Sequence, residues 1–341
     1  MEADVPPARE RPVLERRTRA FAEAYACPPV GTSDEAASRT RMAALWDGGG
    51  LDEPDVEEEW LALPGPDGER VRVRILRPAG AAGTPGAPGT PGAAGREEEP
   101  LPVVLYLHAL GWMLTDAYAH RQLLSDLVLG ADAAVVVPEY EGPRDARHPH
   151  AVERAHTVAR WLARHGAECG LDGSRMAVVG ASAGAQQAAA LTLVARERGG
   201  PHLRHQVLVC PVTDAAMDTP SYRHFEDGYF LGRSAMRGYW QRYAPDRASR
   251  ADGVVSPLRA PLGGLRGLPP ALVLTAEADV LRDEGEAYAA RLREADVPVV
   301  SIRYQGTIHG FLLFDLLRAT EASRAARIQV TDTLHAALHG A

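Results

Sequence analysis

A serine, an aspartate and a histidine occur in this chain in an order that suits nucleophilic catalysis. Ser182 lies in Gly180-Ala181-Ser182-Ala183-Gly184, and Asp279 and His309 follow it, each just beyond a later apolar stretch. A serine hydroxyl is a weak nucleophile at neutral pH, so it needs a histidine that takes its proton and an acid that orients the histidine. The three residues therefore predict acyl transfer through an acyl-serine.

The pentapeptide around Ser182 is typical of a sharp turn between a strand and a helix. The apolar run 176–179 precedes it, and an alanine-rich helical run begins near Ala183. In this setting Gly-x-Ser-x-Gly holds the serine in a strained conformation with its hydroxyl projecting from the sheet. A chain rich in Gly and Ala also produces the pattern by chance, so the flanking elements support the prediction. We expect Gly180 and Gly184 to be required because a Cβ would collide where strand and helix pass.

Two other acids compete with Asp279 as the partner of the histidine. Glu277 and Asp283 lie in the same stretch, after the strand predicted at 271–275. Asp279 is favoured because it lies just beyond that strand. Asp283, by contrast, is typical of a helix N-cap.

The catalytic histidine is predicted from its position in the sequence, and the oxyanion donors are predicted from what acyl transfer requires. Among twelve histidines, His309 follows the strand predicted at 297–304, and the others apart from His108 are interpreted as ordinary surface or core residues. Acyl transfer also needs N–H donors for the oxyanion. One is expected at Ala183, and the others are expected in the loop after the strand that ends at His108.

Strands and helices alternate through most of the chain, and this alternation must position the three residues. From residue 102 the order is strand, helix, strand, helix, strand, helix, which predicts a parallel sheet with helices on both faces. Each candidate residue follows a strand, so all three should lie at the carboxyl edge of the sheet. The closing helix is predicted at 312–338.

Three segments stand outside this alternation. Residues 1–50 are predicted to form an N-terminal helical segment, with Ser33-Asp34 as a candidate N-cap for its second helix, and residues 51–341 form the main domain. A low-complexity loop at 80–99 joins two of its strands. An insertion at about 211–250 holds many of the aromatic residues. These aromatics pack a helical insertion, or line the apolar underside of a cap formed with the N-terminal helices, and the two interpretations are compatible.

Composition narrows the partners and the compartment. A net charge of −8 over 341 residues argues against nucleic acid as a partner. The cysteines, Cys27, Cys169 and Cys210, have no metal-ligand spacing and are interpreted as reduced thiols, so no metal site is expected. The acidic start of the chain argues against a signal peptide, and the lack of a long apolar run argues against a membrane span. We therefore expect a cytoplasmic protein.

Taken together, these motifs resemble the hormone-sensitive-lipase family of α/β-hydrolases, which carries a His-Gly-Gly-Gly motif before the nucleophile. The resemblance covers most of the chain, including the segments 108–112, 180–184, 211–214, 268–285 and 309–311. It implies an α/β-hydrolase fold with a mostly parallel central sheet, helices on both faces and a helical cap. It also implies a cofactor-free serine carboxylesterase, often a homodimer, that acts on short- to medium-chain esters, with Ser182, Asp279 and His309 as the triad.

The segment at the family's glycine-rich loop departs from the pattern. It reads His108-Ala109-Leu110-Gly111, where the resemblance places oxyanion donors at Leu110 and Gly111, beside Ala183, with His108 as loop support. Ala181 in the elbow and the segment 140–144 also differ from the family pattern. The departures leave open an acyltransferase, cyclase or lyase of a specialised biosynthetic pathway. A binding protein on this scaffold is a third hypothesis, disfavoured because no triad member is missing.

Overall fold

The computed structural model describes residues 11–25, 55–65, 68–80, 99–109, 120–139 and 147–340. Within them, eight strands form one sheet in the order β1-β2-β4-β3-β5-β6-β7-β8. Strands β1 and β2 pair antiparallel at one edge, and the strands from β4 to β8 are parallel. The strands are β1 (Val56–Pro64), β2 (Arg70–Pro78), β3 (Leu101–Leu107), β4 (Ala134–Pro138), β5 (Leu171–Ala181), β6 (His205–Val209), β7 (Ala271–Ala278) and β8 (Val299–Ile308).

Helices cover both faces of this sheet. In chain order the α-helices are α1 (Arg16–Ala24), α2 (Arg121–Ala131), α3 (His150–His165), α4 (Ala183–Glu197), α5 (Pro220–His224), α6 (Arg233–Tyr243), α7 (Leu262–Leu265), α8 (Arg282–Glu294) and α9 (Glu321–His339). Helices α1, α2 and α9 contribute to the core on one face, and α3, α4 and α8 contribute to the core on the other. Alternate residues of β3 enter the two cores, which explains its continuous apolar sequence. The predicted α/β architecture is confirmed.

The closing helix begins later than predicted. Residues 312–320 form turns and a short 3-10 helix, Asp315–Leu317, and α9 starts only at Glu321. Gly310 has a φ of +79°. A Cβ on Gly310 would lie only 2.2 Å from Cε2 of the Phe314 ring, which packs against this glycine. Thr320 then caps α9 by accepting a hydrogen bond from the N–H of Ser323 at 3.3 Å. The apolar run after His309 therefore folds back in turns instead of continuing as a helix.

Several predicted features lie outside the described residues. They are the second N-terminal helix with its candidate cap, residues 81–98 of the low-complexity loop, Cys27, and the segment 140–144. In the part of the chain that the structure describes, no helix combines the length and the apolar character that crossing a bilayer requires.

Candidate active site

The predicted elbow joins β5 to α4 through a single residue. Ser182 has φ 54° and ψ −120°, a conformation that non-glycine residues rarely adopt. Its N–H donates to the carbonyl oxygen of Val209 at the end of β6, at 2.8 Å, and this bond holds the turn against the sheet. The serine is therefore fixed at the carboxyl edge by a neighbouring strand.

Gly180 and Gly184, on either side of the serine, are required by two different close contacts. A Cβ on Gly180 would lie 2.1 Å from the carbonyl oxygen of Gly184, where strand and helix pass each other as predicted. A Cβ on Gly184 would lie 2.0 Å from the carbonyl oxygen of Leu107 at the end of β3. Gly184 thus lets α4 approach the strand that leads into the predicted oxyanion loop.

Gly184→Ala is expected to destabilise the fold by about 3 kcal/mol or more, because backbone atoms on both sides must move. The matched control is Gly263→Ala, since a Cβ there meets nothing within 4 Å. Urea unfolding of both variants and the wild type measures the difference. Equal midpoints for the two variants would contradict the packing argument.

The structure brings Ser182, Asp279 and His309 together in one line of hydrogen bonds. His309 Nε2 lies 3.0 Å from Ser182 Oγ, and His309 Nδ1 lies 2.8 Å from Asp279 Oδ2. Asp279 follows β7 and His309 follows β8, so the serine and both partners meet at the carboxyl edge of the sheet. With Nδ1–H donating to the carboxylate, Nε2 is left to accept the serine proton.

The aspartate is buried but hydrogen-bonded. Asp279 is 1% exposed, and its Oδ1 accepts a hydrogen bond from the N–H of Leu281 at 3.0 Å. A buried carboxylate is costly unless hydrogen bonds replace its water. For Asp279, the N–H of Leu281 and the ring N–H of His309 replace that water.

The two competing acids have other partners. Glu277 accepts the N–H of Gly306 at 2.8 Å, and Asp283 accepts the N–H of Ser221 at 2.7 Å. The expected N-cap role of Asp283 is wrong, because α8 begins at Arg282 with Leu281 as its N-cap. Asp283 instead ties the start of α5 to α8.

Two groups near the site were missed by the sequence reasoning. Glu284 is fully buried, and its Oε1 accepts the N–H groups of Thr213 and Asp214 at 2.6 and 3.1 Å. Burial raises the pKa of Glu284 well above its usual range despite those bonds. Cys210 directly follows β6 and lies beside Asp279 and His309. Its place at the end of a predicted strand was the one available signal.

The predicted oxyanion residues are only partly within the described residues. Ala183 is the first residue of α4, so its N–H has no acceptor within the helix. His108 is buried, with Nε2 3.5 Å from Glu139 Oε1. Burial opposes ionisation of Glu139, but the bond from His108 and the charge of Arg74 hold its pKa below the usual value. Leu110 and Gly111 lie outside the described residues.

One cluster with the residue types of a metal site occurs within the described residues. A sulfur of Cys210, a carboxylate oxygen of Asp279 and a ring nitrogen of His309 lie within 4.8 Å of one another. His309 already uses Nδ1 on Asp279 and Nε2 on Ser182. The cluster therefore coincides with the hydrogen-bonded triad.

Comparison with known proteins gives a consistent assignment. A family model described as alpha/beta hydrolase fold matches residues 104–313. The chain is 33% identical over 287 residues to an ethyl acetate hydrolase of Pseudomonas putida, covering 82% of this chain and 83% of that protein. It is 35% identical over 240 residues to carboxylesterase NlhH of Mycobacterium tuberculosis, covering 69% of this chain and 75% of that protein.

A solved structure extends the similarity to nearly the whole chain. The crystal structure of a thermostable esterase from Pseudomonas putida superposes with a TM-score of 0.87 at 37% identity, covering 96% of this chain and 99% of that one. The expectation of a carboxylic ester hydrolase is confirmed at this level. The chain belongs to the α/β-hydrolase fold family, within the group of hormone-sensitive-lipase-like carboxylesterases that its motifs resemble.

Proposed function

We propose that the protein hydrolyses short- to medium-chain carboxylic esters with Ser182 as nucleophile, His309 as general base and Asp279 as the orienting acid. The observation that carries the proposal is the continuous line of hydrogen bonds, 3.0 Å from Ser182 to His309 and 2.8 Å from His309 to Asp279. Nucleophilic catalysis by serine requires this arrangement of nucleophile, base and orienting group.

The reaction follows from these contacts. His309 Nε2 takes the hydroxyl proton as Ser182 Oγ attacks the ester carbonyl carbon, and the carbonyl π electrons move to its oxygen. When the tetrahedral intermediate collapses, the alcohol leaves with the proton from Nε2, and the acyl group remains on Ser182. Water, deprotonated by the same nitrogen, then attacks the acyl-serine. As this second tetrahedral intermediate collapses, Ser182 Oγ takes the proton back from Nε2 and the carboxylic acid is released. Asp279 keeps Nδ1 protonated throughout and stabilises the imidazolium that forms.

The oxyanion is assigned to the N–H groups of Ala183, Leu110 and Gly111, with His108 supporting the loop. The free first-turn position of Ala183 and the contact between His108 and Glu139 support this assignment. The alternative reactions rest on the departure of residues 109–111 from the family pattern. Ala109 is the one residue of these three that the structure describes, and nothing about it favours those reactions. Ester hydrolysis is therefore the function we retain.

An aromatic cluster beside the histidine supports a cap with an apolar acyl pocket. Phe21 of α1, Phe230 of the insertion and Phe314 lie with ring centroids 5.0 to 5.5 Å apart. Phe314 also packs on Gly310, the residue after His309. We assign the cap to the N-terminal segment (1–50) and the insertion (211–250), because both reach this cluster. Bulky rings close to the base favour short to medium acyl chains over long ones.

A p-nitrophenyl ester series from acetate to laurate tests the proposal. We expect turnover to peak at short to medium chains, because the rings limit the room next to His309. A fluorophosphonate should label Ser182 in parallel. Labelling without turnover of any simple ester would contradict the esterase proposal and favour a dedicated acyl acceptor. Failure to label would contradict the nucleophile and favour a binding protein.

We propose that the protein forms a homodimer. The position of β8 at the edge of the sheet supports this, and so does Val300 on that strand, which is 54% exposed. Light scattering that gives the monomer mass at micromolar concentration would contradict the dimer.

We also propose a cytoplasmic location, which the unbridged thiols of Cys169 and Cys210 support. Fractionation of the native cells tests it.

A further inference from the structure

Cys210 occupies a strained position at the end of β6. Its φ is +44°, in the left-handed region that non-glycine residues rarely occupy. Its N–H donates to the carbonyl oxygen of Leu274 in β7 at 2.7 Å, and its side chain is 2% exposed. The backbone of the sheet therefore holds this side chain in one place.

The thiol lies where the ends of three strands meet. Its sulfur, a carboxylate oxygen of Asp279 and a ring nitrogen of His309 lie within 4.8 Å of one another. The sulfur is also near the backbone N–H groups of Ala276, in β7, and Gly310, which follows His309. One side chain thus contacts the segments that carry the acid and the base.

The protonation state of this thiol makes it a donor. Burial, and then the charge of Asp279, raise the pKa of Cys210 well above its usual value. The sulfur therefore keeps its proton at neutral pH and faces a carboxylate. Asp279 already accepts from Leu281 through Oδ1 and from His309 through Oδ2. An ionised carboxylate has lone pairs for a further donor.

We propose that Cys210 is a positioning residue for the triad. Its S–H donates to the Asp279 carboxylate, while its sulfur accepts from the N–H of Gly310 beside His309. The side chain thereby shares the negative charge of the acid and fixes the distance between acid and base. This inference rests on the triad assigned above.

Removal of the thiol donor has a defined electrostatic consequence. Without it, the carboxylate directs more negative charge at His309 and stabilises the protonated imidazole. Among the described residues, Glu284 and Tyr222 also interact electrostatically with Asp279, and the substitution changes neither of them. The acid limb of the kcat/KM profile, which reports the free enzyme's base, should therefore move to higher pH.

The experiment compares Cys210→Ala, Cys210→Ser and the control Cys169→Ala on p-nitrophenyl butyrate over a range of pH. Cys169 is the other described cysteine, and its thiol donates to Gly166 O, not to a triad residue. For Cys210→Ala we expect kcat to fall roughly tenfold with KM unchanged, and the acid limb to rise by about half a pH unit. Cys210→Ser should restore the limb because its hydroxyl donates, and Cys169→Ala should match the wild type.

An unmoved acid limb in Cys210→Ala, or a serine variant no better than the alanine one, would overturn the inference. If Cys210→Ala does not fold, the far-downfield proton resonance of the His309–Asp279 hydrogen bond in Cys210→Ser decides instead. Because a hydroxyl donates more strongly than a thiol, we expect that resonance to be retained but displaced, and an undisplaced one overturns the inference. Ser182→Ala, measured alongside, separates the two proposals. Turnover in Ser182→Ala refutes the triad, whereas an inactive Ser182→Ala with an unmoved limb in Cys210→Ala refutes only the role of Cys210.

Discussion

Ser182→Ala is expected to lower kcat for p-nitrophenyl butyrate by a factor of about 10⁴ or more. The substitution removes the only atom that His309 Nε2 contacts in the triad, Ser182 Oγ at 3.0 Å, so no acyl-enzyme forms. Activity that survives comes from N–H groups that still polarise the carbonyl. Steady-state kinetics together with circular dichroism spectra check that the loss is chemical and that the fold is intact.

A second buried serine provides the control for this loss. Ser125 lies in α2, where its hydroxyl donates to the carbonyl oxygen of Arg121 at 3.0 Å. Ser125→Ala should retain wild-type kcat, because that hydroxyl contacts no triad residue. Substantial activity in Ser182→Ala, with fluorophosphonate still incorporated, would assign the nucleophile elsewhere.

Asp279→Asn is expected to lower kcat by a factor of roughly 10³ to 10⁴. An asparagine can present an NH₂ group to His309 Nδ1 and so favour the tautomer with the proton on Nε2, which cannot accept from Ser182. KM should change little, because Asp279 is 1% exposed and its contact in the triad is with the histidine. Initial rates over a range of substrate concentrations separate the two constants.

The matched control is Asp283→Asn, which alters an acid four positions later in the chain. Asp283 accepts the N–H of Ser221 at 2.7 Å and belongs to α8, so its loss should weaken the attachment of α5 and leave kcat within a few-fold of the wild type. The reverse result, with Asp283→Asn inactive and Asp279→Asn active, would reassign the acid.

Much of the candidate site could be predicted because it depends on local patterns. Buried parallel strands are read as continuous apolar runs, and the residue that follows such a run lies at the carboxyl edge. Ser182 and Asp279 each follow one of these runs, and His309 follows the partly exposed edge strand β8, so their meeting required no knowledge of distances. Gly180 was predictable for the same reason, since strand and helix pass closely at such a turn, whereas the contact that requires Gly184 is with Leu107 of β3.

What could not be predicted depends on tertiary contacts. The apolar residues after His309 continue a helical pattern, but the positive φ of Gly310 and the ring of Phe314 turn the chain before α9 begins. Asp283 is of a residue type that is common at N-caps, but its carboxylate accepts from Ser221 of α5, a contact that only the tertiary structure reveals. Cys210 gave no functional signal by residue type, because the groups around its sulfur lie 66 or more residues further along the chain.

The separation of the triad along the chain also makes catalysis a reporter of folding order. The hydrogen bond between His309 and Ser182 joins residues 127 positions apart, and β6 and β7 lie between the strands that carry them. Such non-local parallel pairings are slow to form, whereas helices form early. During refolding from urea, the helical signal should therefore recover before turnover does. Turnover marks the moment when β5 to β8 have all paired.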